Sequence, residues 1–384
     1  MRLAVYLDYV HTREGAQVYA PRAFALFVAG LRPAFDRLVV AGRVDPVPGR
    51  SHYALPDDVE FLELPHYRSA ADPRELARAT GSALRRWDRA LRGVDVVWVL
   101  GPQGLALPLV ALALARRKRV VLGIRQDLPA YARSRHPDRR VVHRAADLLE
   151  GAFRGLARFL PIVVVGPALA GRYRRGRAVL PLAVSLVPER ELDAPAAERR
   201  WDGGELRVLS VGRLEEEKNP LLLADVLARL RATDPRWRLV VCGEGPLEAA
   251  LRERLAALGL AGAADLRGYL PLDGGLREAY RDAHALLHVS WTEGLPQVLF
   301  EAFAARLPVV ATAVGSVAEA GGDAVLLVPP GDPDAPAAHL RALAGDERLR
   351  AGLVQAGLQR VRAHSMEAEL RRTARFLGAA SDPC

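Results

Sequence analysis

Short, strongly apolar segments alternate with longer segments of mixed composition along most of the chain. The apolar segments predict buried strands, and the longer segments predict helices. In the first half, strands are predicted at residues 3–7, 38–41, 59–64, 96–100, 120–124 and 162–165. The predicted helices between them include residues 19–31, 73–91 and 104–116. Alternating strands and helices favour an α/β protein with mostly parallel sheets.

A polar stretch with proline, residues 188–204, interrupts the pattern, and a second α/β series follows at residues 206–328. Three more helices are predicted at residues 335–344, 347–363 and 365–377. The chain has 384 residues, half of them hydrophobic, which is enough for two sizeable cores. We therefore expect a first domain at residues 1–187, a linker at 188–204, a second domain at 205–364 and a terminal helix and tail at 365–384.

The cysteines and the apolar runs limit the class of protein. There are two cysteines, Cys242 in a predicted strand and Cys384 at the terminus, which is neither a disulfide framework nor a metal-binding spacing. The first residues are typical of a strand and not of a signal peptide. The longest apolar run, residues 104–115, is shorter than the ~20 residues that a membrane-spanning helix needs. These features predict a cytoplasmic protein.

The segment E-G-L-P-Q-V-L-F-E-A-F-A, which begins at Glu293, follows an apolar strand at residues 285–289. Pro296 suits the first turn of a helix, because its missing N–H would have no partner there. Glu301 then lies on the helix, and the free N–H groups of the first turn favour an anion. Two carboxylates that accept hydroxyl hydrogen bonds beside such a helix start suit a sugar nucleotide. The alternative is that both glutamates are solvated on a surface turn.

Two upstream loops strengthen the first interpretation. The loop that begins at Gly212 and Arg213 contains Lys218, one of the two lysines in the chain, where 52 of the 54 basic residues are arginine. An ammonium and a guanidinium group together can clamp a leaving diphosphate. The turn with Gly243 and Gly245 follows the next predicted strand, and glycine there lets the backbone approach a ligand or make a tight turn.

Together these segments resemble the nucleotide-binding half of the retaining family-four (group 1) glycosyltransferases. The resemblance lies in the order G-R-L-x(3)-K-N-P, G-E-G-P, E-G-L-P-x(4)-E-A-F-A and G-S-x(2)-E, and it is dense over residues 206–330. It implies the GT-B fold, in which two Rossmann-like domains face each other across a cleft. It also implies that the C-terminal helix crosses back to the first domain.

The resemblance further implies roles for individual residues. Residues matching Arg213 and Lys218 hold the donor diphosphate, and the residue matching Glu293 contacts the donor sugar. The residue matching Glu301 binds the ribose hydroxyls, and no metal is required. The other expected donor-binding residues are Gly15, Gly212, Gly243, Gly245, Gly294, Leu295 and Pro296.

The first half matches the family less well. Where relatives carry a glycine pair after the first strand, this chain has Gly15 alone, with His11 in the same predicted βα loop. Where many relatives carry a histidine and an aspartate facing the sugar, it has Arg125-Gln126-Asp127. No histidine role passes to Arg125. Asp127 is a candidate on the acceptor side, or alternatively a helix cap.

The resemblance predicts a metal-independent enzyme that transfers a sugar from a UDP-sugar or GDP-sugar with retention of configuration. No cofactor is expected beyond the donor, and the acceptor is a glycan, a lipid-linked or a small molecule. Two alternatives remain: a sugar-nucleotide epimerase of similar fold, and a non-catalytic binding protein that keeps the fold.

Positive charge is concentrated in the first half. Residues 1–187 carry 30 basic and 16 acidic residues, whereas the remainder carries 24 and 29. Arginine clusters lie at residues 116–119, 133–144 and 172–177. They are either solvated helix faces of an arginine-rich protein or a basic surface for an anionic membrane or a phosphorylated acceptor. Nucleic acid is not expected, because no recognition motif accompanies the charge.

Overall fold

The computed structural model describes residues 1–67, 73–193 and 198–379. It forms two compact units: unit 1 comprises residues 1–184 and 367–384, and unit 2 comprises residues 185–366. The predicted linker thus begins inside unit 2, where Glu189–Leu192 is helical. Linker residues 194–197 and the terminal Cys384 lie outside the described ranges.

Unit 1 contains a nine-stranded sheet. Its strands are Arg2–Glu14 (β1), Gln17–Ala20 (β2), Arg37–Val44 (β3), Tyr53–Ala54 (β4), Glu60–Leu64 (β5), Val96–Gly101 (β6), Arg119–Ile124 (β7), Ile162–Val165 (β8) and Val179–Leu182 (β9). Seven of them are parallel, in the order β5-β3-β1-β6-β7-β8-β9, and β2 and β4 extend β1 as antiparallel strands. The chain order reverses at β1, so a switch point lies between β1 and β6, where Rossmann-like sheets bind ligands.

Six helices follow these strands. They are Phe24–Ala29 (α1), Pro73–Leu91 (α2), Ala106–Ala115 (α3), Leu128–Arg135 (α4), Arg140–Leu156 (α5) and Pro167–Gly171 (α6). Fully buried Trp87, Leu109 and Phe153 bring α2, α3 and α5 onto the sheet. Burial of such large apolar side chains is the main source of stability for this layer.

The start of unit 1 differs from the prediction. We expected a βα loop after residue 7 and a helix at residues 19–31, but β1 continues to Glu14 and turns at Gly15 into β2. The hairpin pairs Thr12 with Tyr19, and Gly15 occupies the turn at a φ of 59°. The helical prediction is correct only for Phe24–Ala29, because residues 17–20 alternate partly exposed and buried positions as a strand does.

Unit 2 contains a six-stranded parallel sheet. Its strands are Leu206–Val211 (β10), Trp237–Cys242 (β11), Ala264–Leu266 (β12), Ala285–His288 (β13), Val309–Thr312 (β14) and Val325–Val328 (β15). The order β12-β11-β10-β13-β14-β15 is that of a Rossmann sheet, so its switch point lies between β10 and β13. The helices are Glu189–Leu192 (α7), Leu221–Arg231 (α8), Glu248–Ala257 (α9), Arg277–Asp282 (α10), Gln297–Ala304 (α11), Val317–Gly321 (α12), Asp334–Gly345 (α13) and Glu347–Ala363 (α14).

The last helix, Met366–Ala379 (α15), begins at the end of unit 2, and from residue 367 onward it belongs to unit 1. Its Arg372 donates a hydrogen bond to the carbonyl of Pro181 in β9, at 3.3 Å. Leu377 is fully buried. The predicted fold class, two Rossmann-like α/β domains with a C-terminal helix returning to the first, is confirmed.

Candidate active site

The loop after β10 carries two of the predicted cations. It begins at Gly212 and Arg213 and passes through a short 3-10 turn, Glu216–Lys218. Asn219 ends this turn in the left-handed region, with a φ of 51°, and Pro220 then starts α8. Because a strand end, a turn and a helix start fix the loop, Lys218 has a defined position at the switch point.

The loop after β11 packs directly against it. A Cβ atom on Gly243 would lie 1.8 Å from the carbonyl oxygen of Gly212, so only glycine fits at this approach. The amide of Leu214 donates to the carbonyl of Glu244 at 2.9 Å, and the amide of Leu247 donates to the carbonyl of Leu214 at 3.0 Å. The turn that contains Gly243 and Gly245 therefore packs directly against the loop that carries Arg213.

Glu293 lies in the loop after β13 and is the centre of the site. Its Oε1 atom accepts hydrogen bonds from Lys218 Nζ at 2.5 Å and Ser290 Oγ at 2.8 Å. His288 Nε2 lies 2.8 Å from the same atom. His288 and Ser290 are two positions apart at the end of a strand, so their side chains project to the same face.

The surroundings of Glu293 fix its charge. Burial by itself raises the pKa of this carboxyl, whose side chain is only 7% exposed. Hydrogen bonds from His288 and Lys218 and the positive charge of Lys218 outweigh burial and lower the pKa to about 2. Glu293 is therefore an ionised hydrogen-bond acceptor at neutral pH and not a proton donor.

Neighbouring loops hold the Glu293 segment on two sides. The amide of Trp291 donates to the carbonyl of Glu217 at 2.9 Å, and the amide of Ser316 donates to the carbonyl of Gly294 at 3.2 Å. A Cβ atom on Gly315 would lie 1.8 Å from the carbonyl oxygen of Glu293. Exposed Gly294, half-buried Leu295 and buried Pro296 then lead into α11, whose first-turn N–H groups face the same end of the sheet.

Glu301 lies on α11 and is paired with a tyrosine. The hydroxyl of Tyr280, from α10, donates to Glu301 Oε2 at 2.6 Å. Burial raises the pKa of Glu301, and the hydrogen bond from Tyr280 opposes this rise. The second oxygen of the carboxyl group is available for a further hydrogen bond, such as one from a ribose hydroxyl.

Arg213 is paired within its own loop. It donates hydrogen bonds to Glu215 and, at 2.6 Å, to Glu217. Burial lowers the pKa of Arg213, but the two carboxylates outweigh it and raise the pKa overall. Both cations of this switch point thus have carboxylate partners: Arg213 in Glu215 and Glu217, and Lys218 in Glu293. A bound diphosphate would compete with these carboxylates for the same donors.

The candidates of unit 1 take other positions. His11 is fully buried in β1, its Nδ1 lies 3.3 Å from the carbonyl of Arg43, and burial lowers its pKa to about 4. It lies in the core and not in the predicted loop. Asp127 caps α4, accepting a hydrogen bond from the amide of Ala130 at 3.1 Å, and lies 2.7 Å from Arg172.

Metal ligands and membrane spans are absent from the parts of the chain that the structure describes. Within residues 1–67, 73–193 and 198–379, histidine, cysteine, aspartate and glutamate form no group of three or more suited to a metal ion. Over the same ranges, each helix is too short or too polar to cross a bilayer. Burial raises the pKa of the Cys242 thiol to about 11, so this thiol stays protonated at neutral pH.

Residues 195–360 match the family model of glycosyl transferases group 1, and this range contains every element of the site around Glu293. Residues 195–360 are therefore similar to the group 1 glycosyl transferases. A D-inositol 3-phosphate glycosyltransferase from Geodermatophilus obscurus is 40% identical over 193 residues, which cover 46% of this chain and 42% of that protein. The matched parts span only 15% and 42% of the first two curated relatives.

Solved structures show a likeness in fold that covers both units. Sucrose-phosphate synthase from Thermosynechococcus elongatus superimposes with a TM-score of 0.72 at 19% identity, covering 99% of this chain and 100% of that one. Anabaena HepE in complex with UDP gives a TM-score of 0.71 at 16% identity, covering 99% and 100%. At this identity the likeness establishes the fold alone.

Three residues of this site are not predicted from the sequence. His288 lies in the predicted apolar strand at residues 285–289 and Ser290 follows it, but neither of them nor Tyr280 is among the predicted site residues. A histidine at the carboxyl end of a strand otherwise made of Ala, Leu and Val was the available signal, because ligand sites lie at that edge. Tyr280 had no comparable signal, since its partner Glu301 lies 21 positions away.

Proposed function

We propose that this protein is a retaining glycosyltransferase that moves a sugar from a nucleoside diphosphate to an acceptor without a metal ion. The observation that carries the proposal is the cluster at the switch point of unit 2. There Lys218, His288 and Ser290 converge on ionised Glu293, beside Arg213. A cation for a diphosphate, Lys218, and a carboxylate for sugar hydroxyls, Glu293, lie within hydrogen-bonding distance of each other.

In the proposed reaction, the bond between the anomeric carbon and the phosphate oxygen breaks. A bond from an acceptor oxygen forms on the same face of the sugar, and the leaving phosphate oxygen takes the acceptor's proton. Lys218, Arg213 and the first turn of α11 stabilise the charge that develops on the diphosphate. Glu293 accepts hydrogen bonds from the sugar, and Glu301 accepts them from the ribose.

Freeing Lys218 from Glu293 is part of this proposal. The 2.5 Å pair would be exchanged for a contact between the ammonium group and a phosphate oxygen, while sugar hydroxyls replace Lys218 at Glu293. His288 and Ser290 continue to donate to Glu293 and hold its carboxylate in place. The site thus keeps its charges neutralised both with and without a donor.

Two alternatives are less well supported. A sugar-nucleotide epimerase needs an additional acid–base pair, but His11 is buried in the core of unit 1 and Asp127 caps α4 and pairs with Arg172. A non-catalytic protein would not need Arg213, Lys218, Glu293 and Glu301 together. We take UDP as the default nucleotide of the donor. The solved complex of HepE with UDP supports this choice.

We also propose peripheral contact between unit 1 and an anionic membrane. Val141 and Leu148, which are 80% and 75% exposed, lie seven positions apart on α5 and share a face. Exposed Arg140 and Arg144 flank them. Apolar side chains among arginines suit the headgroup region of an acidic bilayer.

The test of the transferase proposal uses alanine variants of the two cations. Lys218→Ala and Arg213→Ala should each lower turnover by about 10²- to 10³-fold, because each removes one preorganised donor to the leaving group. Turnover is measured as release of nucleoside diphosphate from UDP-, GDP-, ADP- and dTDP-sugars, with and without EDTA. Folding is checked by circular dichroism.

Arg229→Ala is the matched control. Arg229 lies on α8 in the same unit and forms a surface ion pair with Asp334 at 2.6 Å. It should retain wild-type turnover. Near wild-type turnover in both site variants contradicts the assignment of the loop, and inhibition by EDTA contradicts metal independence. Proton NMR of the product decides retention, since the anomeric coupling constant must match that of the donor.

A further inference from the structure

A second group of charged and aromatic side chains lies at the carboxyl edge of the unit 1 sheet. Arg125 follows β7, and its Nη1 donates a hydrogen bond to the hydroxyl of Tyr9 in β1. The guanidinium carbon lies 4.4 Å from the ring centre of Tyr9 and 5.3 Å from that of Phe24 in α1. These contacts hold Arg125 beside the switch point between β1 and β6, where Rossmann-like sheets bind ligands.

Arg125 has no carboxylate partner in the described part of the chain. Asp8, whose charge acts on it, is engaged elsewhere: it lies 3.3 Å from Arg43 Nε and accepts a hydrogen bond from the Tyr6 hydroxyl at 2.7 Å. Arginine has five N–H donors, and Arg125 uses one of them, toward Tyr9. A half-buried guanidinium without a counter-ion is unfavourable, and burial lowers its pKa.

A second arginine adds to this positive charge. Arg22 is exposed just before α1, and its charge acts on both Arg125 and Tyr9. Over the described ranges, Arg22 forms no ion pair either. Like charges repel, so the charge of Arg22 makes Arg125 without a counter-ion still less favourable. An anion bound at Arg125 would offset this repulsion and use the free N–H donors of its guanidinium group, which match the geometry of phosphate and carboxylate.

We propose that Arg125 and Arg22 bind the anionic group of an acceptor, a phosphate monoester or a carboxylate. This inference rests on the proposed function, in which unit 2 supplies the cations for the donor diphosphate. Arg125 presents a planar cation at this edge of the unit 1 sheet. A soluble sugar phosphate and the phosphate headgroup of a lipid share the required chemistry.

The experiment compares charged and neutral probes by isothermal titration calorimetry. Wild-type protein is titrated with glucose 6-phosphate, glycerol 3-phosphate, glucuronate and inorganic phosphate, and with glucose and glycerol, both with and without UDP. At least one anionic probe should bind tenfold or more tightly than its neutral counterpart. Arg125→Gln and Arg22→Gln should each weaken that binding by about 10- to 100-fold, because each removes charge-assisted hydrogen bonds.

Arg85→Gln is the control, since it removes one exposed positive charge from α2 in the same unit. It should leave probe binding unchanged. Binding to phosphatidylcholine vesicles with and without phosphatidic acid distinguishes a lipid headgroup from a soluble phosphate as the source of the anionic group. Binding that requires both phosphatidic acid and Arg125 identifies a lipid headgroup as the ligand. If only the binding of soluble probes requires Arg125, the acceptor is a free small molecule. Because Arg22 is exposed, its variant keeps the test valid even if Arg125→Gln does not fold.

Equal binding of all anionic probes by wild type and both variants overturns the inference. A loss of UDP affinity in Arg125→Gln also overturns it, because the site would then serve the donor. The proposed function has a separate readout in the Lys218→Ala variant. If that variant fails to turn over donor while Arg125→Gln binds probes normally, the transferase stands and the anion site does not.

Discussion

Three donors converge on one oxygen atom of Glu293, and this arrangement sets a pH dependence. The pKa of Glu293 is about 2 in the folded protein, below its ordinary value of 4.5. A carboxyl group with a lowered folded pKa stabilises the protein above its unfolded pKa, and this contribution is lost as the pH falls toward the folded value. Glu293 should therefore contribute stability at neutral pH that disappears between about pH 4.5 and pH 2.

Glu293→Gln tests this directly, because glutamine cannot titrate. The free energy of unfolding of the variant should lie below that of wild type at pH 6. The difference should narrow by roughly 2 kcal/mol between pH 6 and pH 3, as wild type loses the contribution of the ionised carboxylate. Urea unfolding monitored by tryptophan fluorescence at several pH values measures it. Glu253→Gln is the control, because it removes an exposed carboxylate on α9, outside the Glu293 site; a narrowing of the same size there would contradict the assignment.

The two glutamates should differ in what they bind. Glu301→Gln should weaken the affinity for free nucleoside diphosphate by about tenfold or more, because a charged acceptor for ribose hydroxyls is lost. Glu293→Gln should preserve that affinity, since removing its charge frees Lys218 for the diphosphate. It should instead lower turnover and reduce discrimination among donor sugars. Calorimetric titration with UDP and turnover with a panel of UDP-sugars separate the two effects; equal losses of UDP affinity in both variants contradict the assignment.

At this scale the sequence predicts the charged residues of the candidate site but not their mutual contacts. Lys218 and Glu293 were predicted separately, from a rare lysine and from a motif, and the structure places them 2.5 Å apart across 75 positions of the chain. Local patterns carry no information about such a distance. The same limit explains why Tyr280 was missed, and why Arg213 was not expected to pair with Glu215 and Glu217.

Among the elements, the loops after β10, β11, β13 and β14 form one interlocked group. Backbone contacts link Gly212 to Gly243 and Glu293 to Gly315, at separations that leave no room for a Cβ atom. The Gly315 contact bears directly on the candidate site, because it is made with the backbone of Glu293 itself. A side chain at this position must displace the Glu293 loop.

Gly315→Ala should therefore damage stability and turnover together. The new Cβ would lie 1.8 Å from the Glu293 carbonyl oxygen, and residue 315 has a φ of 55° that alanine adopts only with strain. Such strain costs about 1–3 kcal/mol, which should lower the midpoint of thermal unfolding by about 3–10 °C. Calorimetry and a turnover assay test this. Gly262→Ala is the control, since its Cβ would meet open space and its φ is ordinary; a matching loss there would contradict the proposed cause.

Secondary structure was predicted most reliably for strands that are buried on both faces. Strands such as Val96–Gly101 and Arg119–Ile124 were predicted to within a residue or two, because continuous apolar runs are typical of central parallel strands. The prediction was wrong at residues 8–20, where β1 continues to Glu14 and forms a hairpin with β2. Short alternating segments at a sheet edge resemble loops in sequence, and their pairing depends on a partner elsewhere.

In the whole molecule, charge is distributed unevenly between the two halves of the chain. Residues 1–187 carry a net excess of positive charge, and residues 188–384 carry 24 basic against 29 acidic residues. The structure shows that parts of the arginine clusters are paired, as Arg133 is with Asp147 at 2.8 Å and Arg172 with Asp127 at 2.7 Å. Arg140 and Arg144 differ, because they are exposed beside exposed Val141 and Leu148.

If this surface meets a membrane, flotation with vesicles should require acidic lipid and decrease with salt. Each arginine near an anionic surface contributes about 1 kcal/mol, and screening acts over a Debye length of ~8 Å at physiological ionic strength. The double change Arg140→Glu and Arg144→Glu should release the protein from phosphatidylcholine vesicles that contain phosphatidylglycerol. Turnover with a water-soluble acceptor should be unchanged, since these side chains lie on α5 and not among the residues assigned to catalysis.

The matched control is Arg85→Glu with Arg89→Glu, two exposed arginines with the same four-residue spacing on α2. It changes the net charge of unit 1 by the same amount without touching Val141 or Leu148. Release of both double variants from the vesicles would show that net charge alone drives binding. Flotation that does not depend on acidic lipid would favour the alternative that these arginines are solvated residues without a membrane partner. Because attraction between a basic unit and an acidic bilayer is long-ranged whereas insertion of Val141 is local, only the α5 variant should also lose the salt-resistant fraction of binding.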